Sequence, residues 1–161
     1  ELGKGTTFKV LFPGSKNALQ SNRPKKASAA SSWKGSGSVL VVDDEESVRN
    51  VTKMILEKTG FTVLTATDGR HGVEVFKAHK DVICAVLVDM TMPYMDGAEA
   101  FREFRKIQPQ IPVILSSGYN EQDAREQFAE KGLSGFIQKP FQMRALVDVF
   151  RQVLSAQPPR A

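Results

Sequence analysis

Five apolar strand-like segments alternate with amphipathic helix-like segments over residues 38–156, and this alternation restricts the fold more than any other feature. Most of the strand-like segments are continuous or nearly continuous apolar runs, which is typical of parallel strands that are covered on both faces. Such a repeat indicates an α/β domain whose parallel strands are joined by right-handed crossovers. The predicted strands are Val39–Asp43, Phe61–Thr65, Cys84–Asp89, Val113–Ser117 and Gly135–Gln138.

Apolar residues recur at helical spacing in segments that lie between these strands and after the last one. Gly60 and Gly132 are expected to end the first and fourth helices, and Asp68 to form the N-cap of the second. For five strands we expect a flavodoxin-like, doubly wound sheet of order 2-1-3-4-5, with helices on both faces. The apolar positions are Val48, Val51, Ile55, Phe101, Phe104, Ala124, Phe128, Leu146, Val149, Phe150 and Val153.

Charge is divided unevenly along the chain. Residues 1–37 carry seven Lys or Arg and one Glu, a net charge of +6, whereas residues 38–161 carry 15 Lys or Arg and 17 Asp or Glu, a net charge of −2. A nucleic-acid-binding domain needs a basic surface, so we expect no nucleic-acid partner. No apolar run reaches about 18 residues, so we expect no membrane contact by this chain.

The composition changes near residue 38, which suggests a domain boundary. Residues 14–37 are rich in Ser, Ala, Gly, Lys and Asn, and such a segment buries too little apolar surface to fold, so we predict a flexible linker. We therefore divide the chain into a terminal segment at 1–13, the linker at 14–37, a domain at 38–156 and a tail at 157–161.

Polar side chains collect at the carboxyl ends of the predicted strands. The first strand ends in Asp43-Asp44, the third in Asp89 and the fourth in Ser117, and Lys139 follows the fifth. Ligands of such sheets bind outside these ends, near the switch between strands one and three. Clustered carboxylates need a neutralising cation, and their oxygens suit Mg²⁺. A carboxylate can also form an aspartyl phosphate, with an ammonium and a hydroxyl offsetting charge on the phosphoryl oxygens.

Each polar residue also has a simpler interpretation. Acids at 43–46 would favour the start of the first helix through its dipole, the interpretation that we prefer for Glu45 and Glu46. Asp89 could instead be a turn residue, and Lys139 an ordinary surface lysine. Taken one by one, these explanations do not account for polar groups at the carboxyl end of every contributing strand, so we favour a shared site.

Four segments around these residues resemble the receiver domains of two-component response regulators. The segments are V-L-V-V-D-D-E (39–45), L-V-D-M-T-M-P-Y-M-D-G (87–97), P-V-I-L-S-S-G (112–118) and G-F-I-Q-K-P-F (135–141). The resemblance covers residues 38 to about 156, and its segments are spaced as in the family. It implies phosphorelay signal transduction with Mg²⁺ as the cofactor.

The resemblance assigns roles to the residues of the acidic site. Asp89 would accept the phosphoryl group and also bind the metal, together with Asp43 and Asp44. Thr91 would offer its backbone carbonyl to the metal. Lys139 would be the ammonium of the site, and its peptide bond to Pro140 resembles one that is cis in the family.

Two further residues would form a conformational switch. Ser117, rather than the neighbouring Ser116, would bond the phosphoryl group, and Phe136 would repack inward. This change would remodel the surface formed by the fourth helix, the fifth strand and the fifth helix. The resemblance leaves open a homodimer through that surface.

The N-terminal segment G-K-G-T-T-F-K-V-L-F-P (3–13) is similar to the last glycine box and strand of a histidine-kinase ATP-binding domain. It implies the C-terminal part of a hybrid histidine kinase, with an unrelated Gly-Thr strand as the alternative. The phosphodonor would be a phosphohistidine of its own kinase core or of a phosphotransfer domain. The location would be cytoplasmic, with the parent kinase free to be membrane-attached. Without a kinase core, this chain would at most catalyse its own aspartyl phosphorylation and dephosphorylation.

Two other functions are compatible with an α/β domain of this kind. A receiver-like module could bind a partner without being phosphorylated, although all five site residues are present here. A small aspartate-nucleophile phosphatase would show a D-x-D pattern, whereas Asp89-Met90-Thr91 lacks the second acid. Only 156–161 follow the last predicted helix, so we expect no DNA-binding effector in the chain.

Overall fold

The computed structural model describes Gly5, Lys9 and residues 33–118 and 132–156. The chain divides into two units between Ser32 and Trp33, and the helices and strands described below belong to the second unit. In chain order they are β1 (Ser38–Val42), α1 (Glu46–Thr59), β2 (Thr62–Ala66), α2 (Gly69–His79), β3 (Ile83–Asp89), α3 (Gly97–Ile107), β4 (Val113–Ser117), β5 (Gly135–Gln138) and α4 (Met143–Ser155).

The helix α4 corresponds to the predicted fifth helix. The predicted fourth helix, around Ala124 and Phe128, lies outside the described residues, as do the tail at 157–161 and most of the N-terminal segment and linker. The domain boundaries therefore stay predictions. None of the four helices described is long and apolar enough to cross a membrane.

The five strands form one parallel sheet in the order β2-β1-β3-β4-β5. The predicted flavodoxin-like order is thus confirmed. In register, Val42 lies opposite Val88 and Asp89 opposite Ser116, so the strands end close to the same edge. Because all strands run in one direction, this edge gathers the residues that follow each strand.

Alternate residues of the strands face two separate hydrophobic clusters, as expected for a sheet that is covered on both sides. Leu40, Val86 and Leu115 pack in the cluster under α2 and α3, which contribute side chains such as Phe76 and Phe104. The opposite cluster contains Val41, Leu87, Ile114, Leu56 of α1 and Phe150 of α4. Helices on both faces are therefore confirmed.

Two predicted helix signals lie where they were expected. Gly60 ends α1 in the left-handed region at φ 111°, and its N–H donates to the carbonyls of Glu57 and Leu56. The Asp68 carboxylate caps α2 by accepting from the backbone N–H of His71 at 3.0 Å. The start of β2 differs by one residue from its prediction, because the N–H of Phe61 donates back to Leu56 O at 3.2 Å and belongs to the end of α1.

Candidate functional site

The structure brings the predicted polar residues together at the carboxyl edge of the sheet. Asp43 directly follows β1, Asp89 is the last residue of β3 and Ser117 the last residue of β4. Lys139 directly follows β5, and its backbone N–H donates to Ser117 O at 2.7 Å. Four separate segments of the chain therefore meet at one place.

Lys139 joins two of the acids through its ammonium. Its Nζ lies 2.8 Å from Asp43 Oδ2 and 3.1 Å from Asp89 Oδ1. Asp43 and Asp89 are only 3% and 6% exposed, so these ion pairs are screened by little water. The interpretation of Lys139 as an ordinary surface lysine does not fit this position.

The carboxylates of Asp43, Asp44 and Asp89 form a compact acidic cluster. Each offers an oxygen within 4.8 Å of the others, and Asp44 is exposed while the other two are buried. Lys139 neutralises part of this charge, and the remaining negative charge favours a bound cation. A set of hard oxygen ligands with one side open to water fits Mg²⁺, which retains several waters when bound.

Burial and charge shift the protonation equilibria of this cluster. Burial raises the pKa of the Asp89 carboxyl above its usual 3.8, and the charge and hydrogen bond of Lys139 offset this only in part. Burial acts to lower the pKa of the Lys139 ammonium, but its hydrogen bond to Asp43 and the charges of both carboxylates outweigh burial, so the pKa is raised. Lys139 therefore stays charged at neutral pH.

Arg49 of α1 holds the backbone of the acidic pair, a role that the sequence analysis missed. Its Nη1 donates to Asp43 O at 2.7 Å and to Asp44 O at 3.3 Å. The Asp43 carboxylate also accepts from the N–H of Glu45 at 3.0 Å. The sequence indicates this role only through the position of Arg49, a basic residue in the first turn of the helix that follows the acids. Glu46 lies in the first turn of α1, where an acid is favoured by the helix dipole, as predicted.

The loop after Asp89 is held closely against the sheet. Met90 N donates to Ser116 O at 2.9 Å, and Gly97 N donates to Met90 O at 3.0 Å. A Cβ on Gly97 would lie 2.3 Å from the carbonyl oxygen of Asp89, so only glycine fits at the start of α3. Thr91 is an exposed residue of this loop.

Asp96 provides a capping box with Glu99, in which each side chain accepts from the backbone N–H of the other residue. Since α3 begins directly after the loop, this cap helps to fix the loop that follows Asp89.

The two serines at the end of β4 occupy different environments. Ser116 Oγ donates to Val88 O at a long 3.5 Å, whereas Ser117 is the last buried residue of the strand, beside Lys139. Phe136 is half-buried and packs against the cluster under α2 and α3. The Lys139–Pro140 peptide bond is cis, as the resemblance implied.

Comparisons with known proteins identify related chains. The response regulator receiver domain family matches residues 39–151. The sensor kinase CckA of Brucella abortus is 34% identical over 163 residues, covering 98% of this chain and 17% of that kinase. The chemotaxis protein CheY of Thermotoga maritima is 38% identical over 116 residues, covering 71% of this chain and 95% of that protein.

A solved structure has the same architecture. The crystal structure of the receiver domain from the hybrid histidine kinase CckA is 29% identical, with a TM-score of 0.63, and the match covers 73% of this chain and 99% of that one. The chain thus spans about a sixth of the Brucella sensor kinase but nearly the whole of single receiver domains.

Proposed function

This chain belongs to the response regulator receiver domain family, and we propose that Asp89 accepts a phosphoryl group from a phosphohistidine. The observation that carries this proposal is the contact of one ammonium, on Lys139, with both Asp43 and Asp89 at the edge of the sheet. Homology to the receivers of hybrid kinases supports a role in a phosphorelay.

In the proposed step, a carboxylate oxygen of Asp89 attacks the phosphorus of the donor. A bond forms between oxygen and phosphorus, and the bond between phosphorus and the imidazole nitrogen breaks. The electron pair stays on that nitrogen, which takes a proton from solvent. Lys139 already lies 3.1 Å from the attacking carboxylate, where its charge stabilises the negative oxygens of the transferring group.

Receiver domains typically bind Mg²⁺, and the acidic cluster supports the same cofactor here. We propose that Asp43, Asp44 and Asp89 hold it, with the backbone carbonyl of Thr91 as a further ligand. A bound Mg²⁺ would neutralise charge on the phosphoryl oxygens. Arg49 would keep the acidic pair in place through its bonds to the two carbonyls.

Ser117 and Phe136 are proposed as the switch. The Ser117 hydroxyl would bond the phosphoryl group, and Phe136, half-buried on β5, would repack inward. This would change the surface formed by β5, α4 and the segment of the predicted fourth helix, through which a homodimer would form if the receiver dimerises.

We further propose that the chain comes from a hybrid histidine kinase, which supplies phosphate from its own core or through a phosphotransfer domain. The match to the Brucella sensor kinase covers 98% of this chain, so it extends through most of residues 1–37. This extension supports residues 1–13 as the end of an ATP-binding domain and 14–37 as the linker, and the proposed location is cytoplasmic. A receiver that acts without phosphorylation is not favoured, because the site residues converge.

Incubation with Mg²⁺ and phosphoramidate, a small donor with a phosphorus–nitrogen bond, tests the proposed acceptor. We expect one phosphoryl group per chain that is stable in acid and labile in base, measured by intact-mass spectrometry. Asp89→Asn should abolish labelling, whereas Asp81→Asn, an exposed acid between α2 and β3, should leave it unchanged. Equal labelling of Asp89→Asn and the wild type would sink the assignment.

A further inference from the structure

Trp33 is the single tryptophan of the chain, and it packs onto the receiver outside the predicted domain boundary. Its ring centroid lies 5.8 Å from that of Phe61, with the rings inclined at 57°. The side chain is half-buried against the cluster that contains Leu56 and Phe150. A tilted aromatic pair at this distance is a favourable packing geometry.

Backbone hydrogen bonds hold the residues after Trp33 against the same side of the domain. Gly35 N donates to Thr59 O at 3.0 Å, and Thr62 N donates to Gly37 O at 3.0 Å. The segment 33–37, which we call the strap, is therefore tied to the chain on both sides of Gly60. A solvated linker would leave these groups bonded to water.

Two glycines make this close approach sterically possible. A Cβ on Gly35, which is buried, would lie 2.1 Å from Cζ of the Phe61 ring. A Cβ on Gly60 would lie 2.7 Å from Gly35 O, and Gly60 also has the positive φ of a helix end. The strap and the α1–β2 turn thus fit together only because both positions lack a side chain.

The strap lies at the amino ends of the strands, since it leads directly into β1. Asp43 follows the other end of β1, so about 17 Å of extended strand separate the strap from the acidic cluster. Phe61 in turn contacts Phe150 of α4, with ring centroids 5.8 Å apart. The strap is therefore continuous with the hydrophobic cluster under α1 and α4.

We propose that the strap docks on the receiver domain and is part of it, with Trp33 as the side chain that anchors the strap. The receiver unit then begins at Trp33 instead of Ser38, and the linker proposed at 14–37 loses its last five residues to the receiver. Any upstream domain is tethered at the end of the sheet opposite Asp89, so the tether does not begin beside the edge that a phosphodonor must approach. This inference does not depend on whether Asp89 is phosphorylated.

Limited trypsin digestion of the full chain tests the strap, because cleavage after Lys34 requires the strap to open. We expect slow cleavage there in the wild type and at least about a tenfold faster rate in Trp33→Ala, corresponding to about 1.4 kcal/mol of lost docking energy. Trp33→Phe keeps a ring against Phe61 and should retain most of the protection. Ser36→Ala, whose side chain is exposed, is the matched control and should match the wild type.

Tryptophan fluorescence provides an independent measurement. Gly35→Val places a side chain into the Phe61 ring, so Trp33 should emit at longer wavelength and be quenched several-fold more by acrylamide. Phosphorylation of Asp89 should persist in this variant, which separates failure of the strap from failure of the proposed function.

The proposal that the strap docks would be overturned if wild-type cleavage after Lys34 were as fast as in Trp33→Ala. It would also be overturned if acrylamide quenched the wild type as strongly in buffer as in urea. If Gly35→Val does not fold, the rates for Trp33→Ala and Trp33→Phe decide.

Discussion

At the scale of single residues, the site depends on one cation between two carboxylates that are almost fully removed from water. Lys139 is half-buried, with its ammonium in contact with both Asp43 and Asp89. Buried charges of this kind are tolerated when they are paired, and removing one partner leaves the others uncompensated. The residues that make the proposed chemistry possible therefore also affect the stability of the domain: Lys139 stabilises the two buried carboxylates, whereas the burial of the Asp89 charge is unfavourable.

Replacement of Lys139 by an uncharged residue should make the stability of the domain depend on bound metal. In EDTA we expect Lys139→Met to lower the free energy of unfolding by about 3 kcal/mol, because two buried carboxylates lose their counter-charge. Mg²⁺ should stabilise this variant more than it stabilises the wild type. Urea denaturation with and without Mg²⁺ measures both effects. Lys53→Met, which removes an exposed ion pair with Glu57 at 3.8 Å, should cost less than about 0.5 kcal/mol.

The raised pKa of Asp89 predicts how stability changes with pH in the absence of metal. A raised folded-state pKa means that the native state gains stability as the pH falls through that pKa, and the gain is complete below about 3.8. Asn cannot titrate, so Asp89→Asn should be more stable than the wild type at pH 7.5. Its advantage should shrink as the pH falls through the raised pKa.

Urea denaturation in EDTA over a series of pH values measures this difference. Lys139 keeps its bond to Asp43 in the variant, so no cation is left unpaired. The exposed Asp81→Asn should show no comparable advantage at pH 7.5. A difference between Asp89→Asn and the wild type that stays constant with pH would contradict the assigned cause.

At the scale of helices and strands, some residues act through neighbouring backbone groups and others through close contacts between separate elements. Gly60 and Asp68 act through neighbouring backbone groups, so their roles at helix ends could be predicted from the sequence. Gly97 acts through a contact between α3 and the end of β3, which no local pattern reveals. The same holds for Gly35 against the Phe61 ring.

Gly97→Ala should push α3 away from the strand that carries Asp89. The added Cβ would lie 2.3 Å from Asp89 O and 2.8 Å from Met90 Cα, both backbone atoms that cannot easily move. We expect a loss of about 2 kcal/mol in the free energy of unfolding, typical of overpacking, and slower phosphorylation of Asp89. Thermal and urea denaturation measure the first effect, and the phosphoramidate assay measures the second.

Gly118→Ala is the matched control for stability, since a Cβ there meets no atom within 4 Å among the described residues. Its stability should stay within about 0.5 kcal/mol of the wild type, as for most surface substitutions. An equal loss of stability in the two variants would mean that the contact of Gly97 with β3 is not the cause.

At the scale of the whole molecule, the sheet order brings the chemistry to one edge. The order β2-β1-β3-β4-β5 places β1 beside β3, so Asp43 and Asp89 follow neighbouring strands. The proposed metal site therefore exists only in the folded chain, and Mg²⁺ must bind the native state more tightly than the unfolded state. Mass action then links binding to stability.

Mg²⁺ should raise the melting temperature of the wild type, whereas NaCl of equal ionic strength should not. A concentration 100 times the dissociation constant corresponds to about 2.7 kcal/mol of added stability. Asp44→Asn should lose most of this increase while keeping its stability in EDTA, because Asp44 is exposed and belongs to the acidic cluster. Differential scanning calorimetry measures the shift, and Asp81→Asn should respond like the wild type.

Alternation of apolar runs was enough to predict a parallel α/β sheet with covered faces, because burial on both sides imposes a local pattern on each strand. The resemblance, in turn, assigned roles to the polar residues at the strand ends. The sequence could not reveal which atoms meet across segments. The bonds of Lys139 to two acids, the hold of Arg49 on the acidic backbone and the docking of Trp33 on Phe61 all join residues from separate elements. Such contacts depend on chain packing and register, which only the folded molecule specifies.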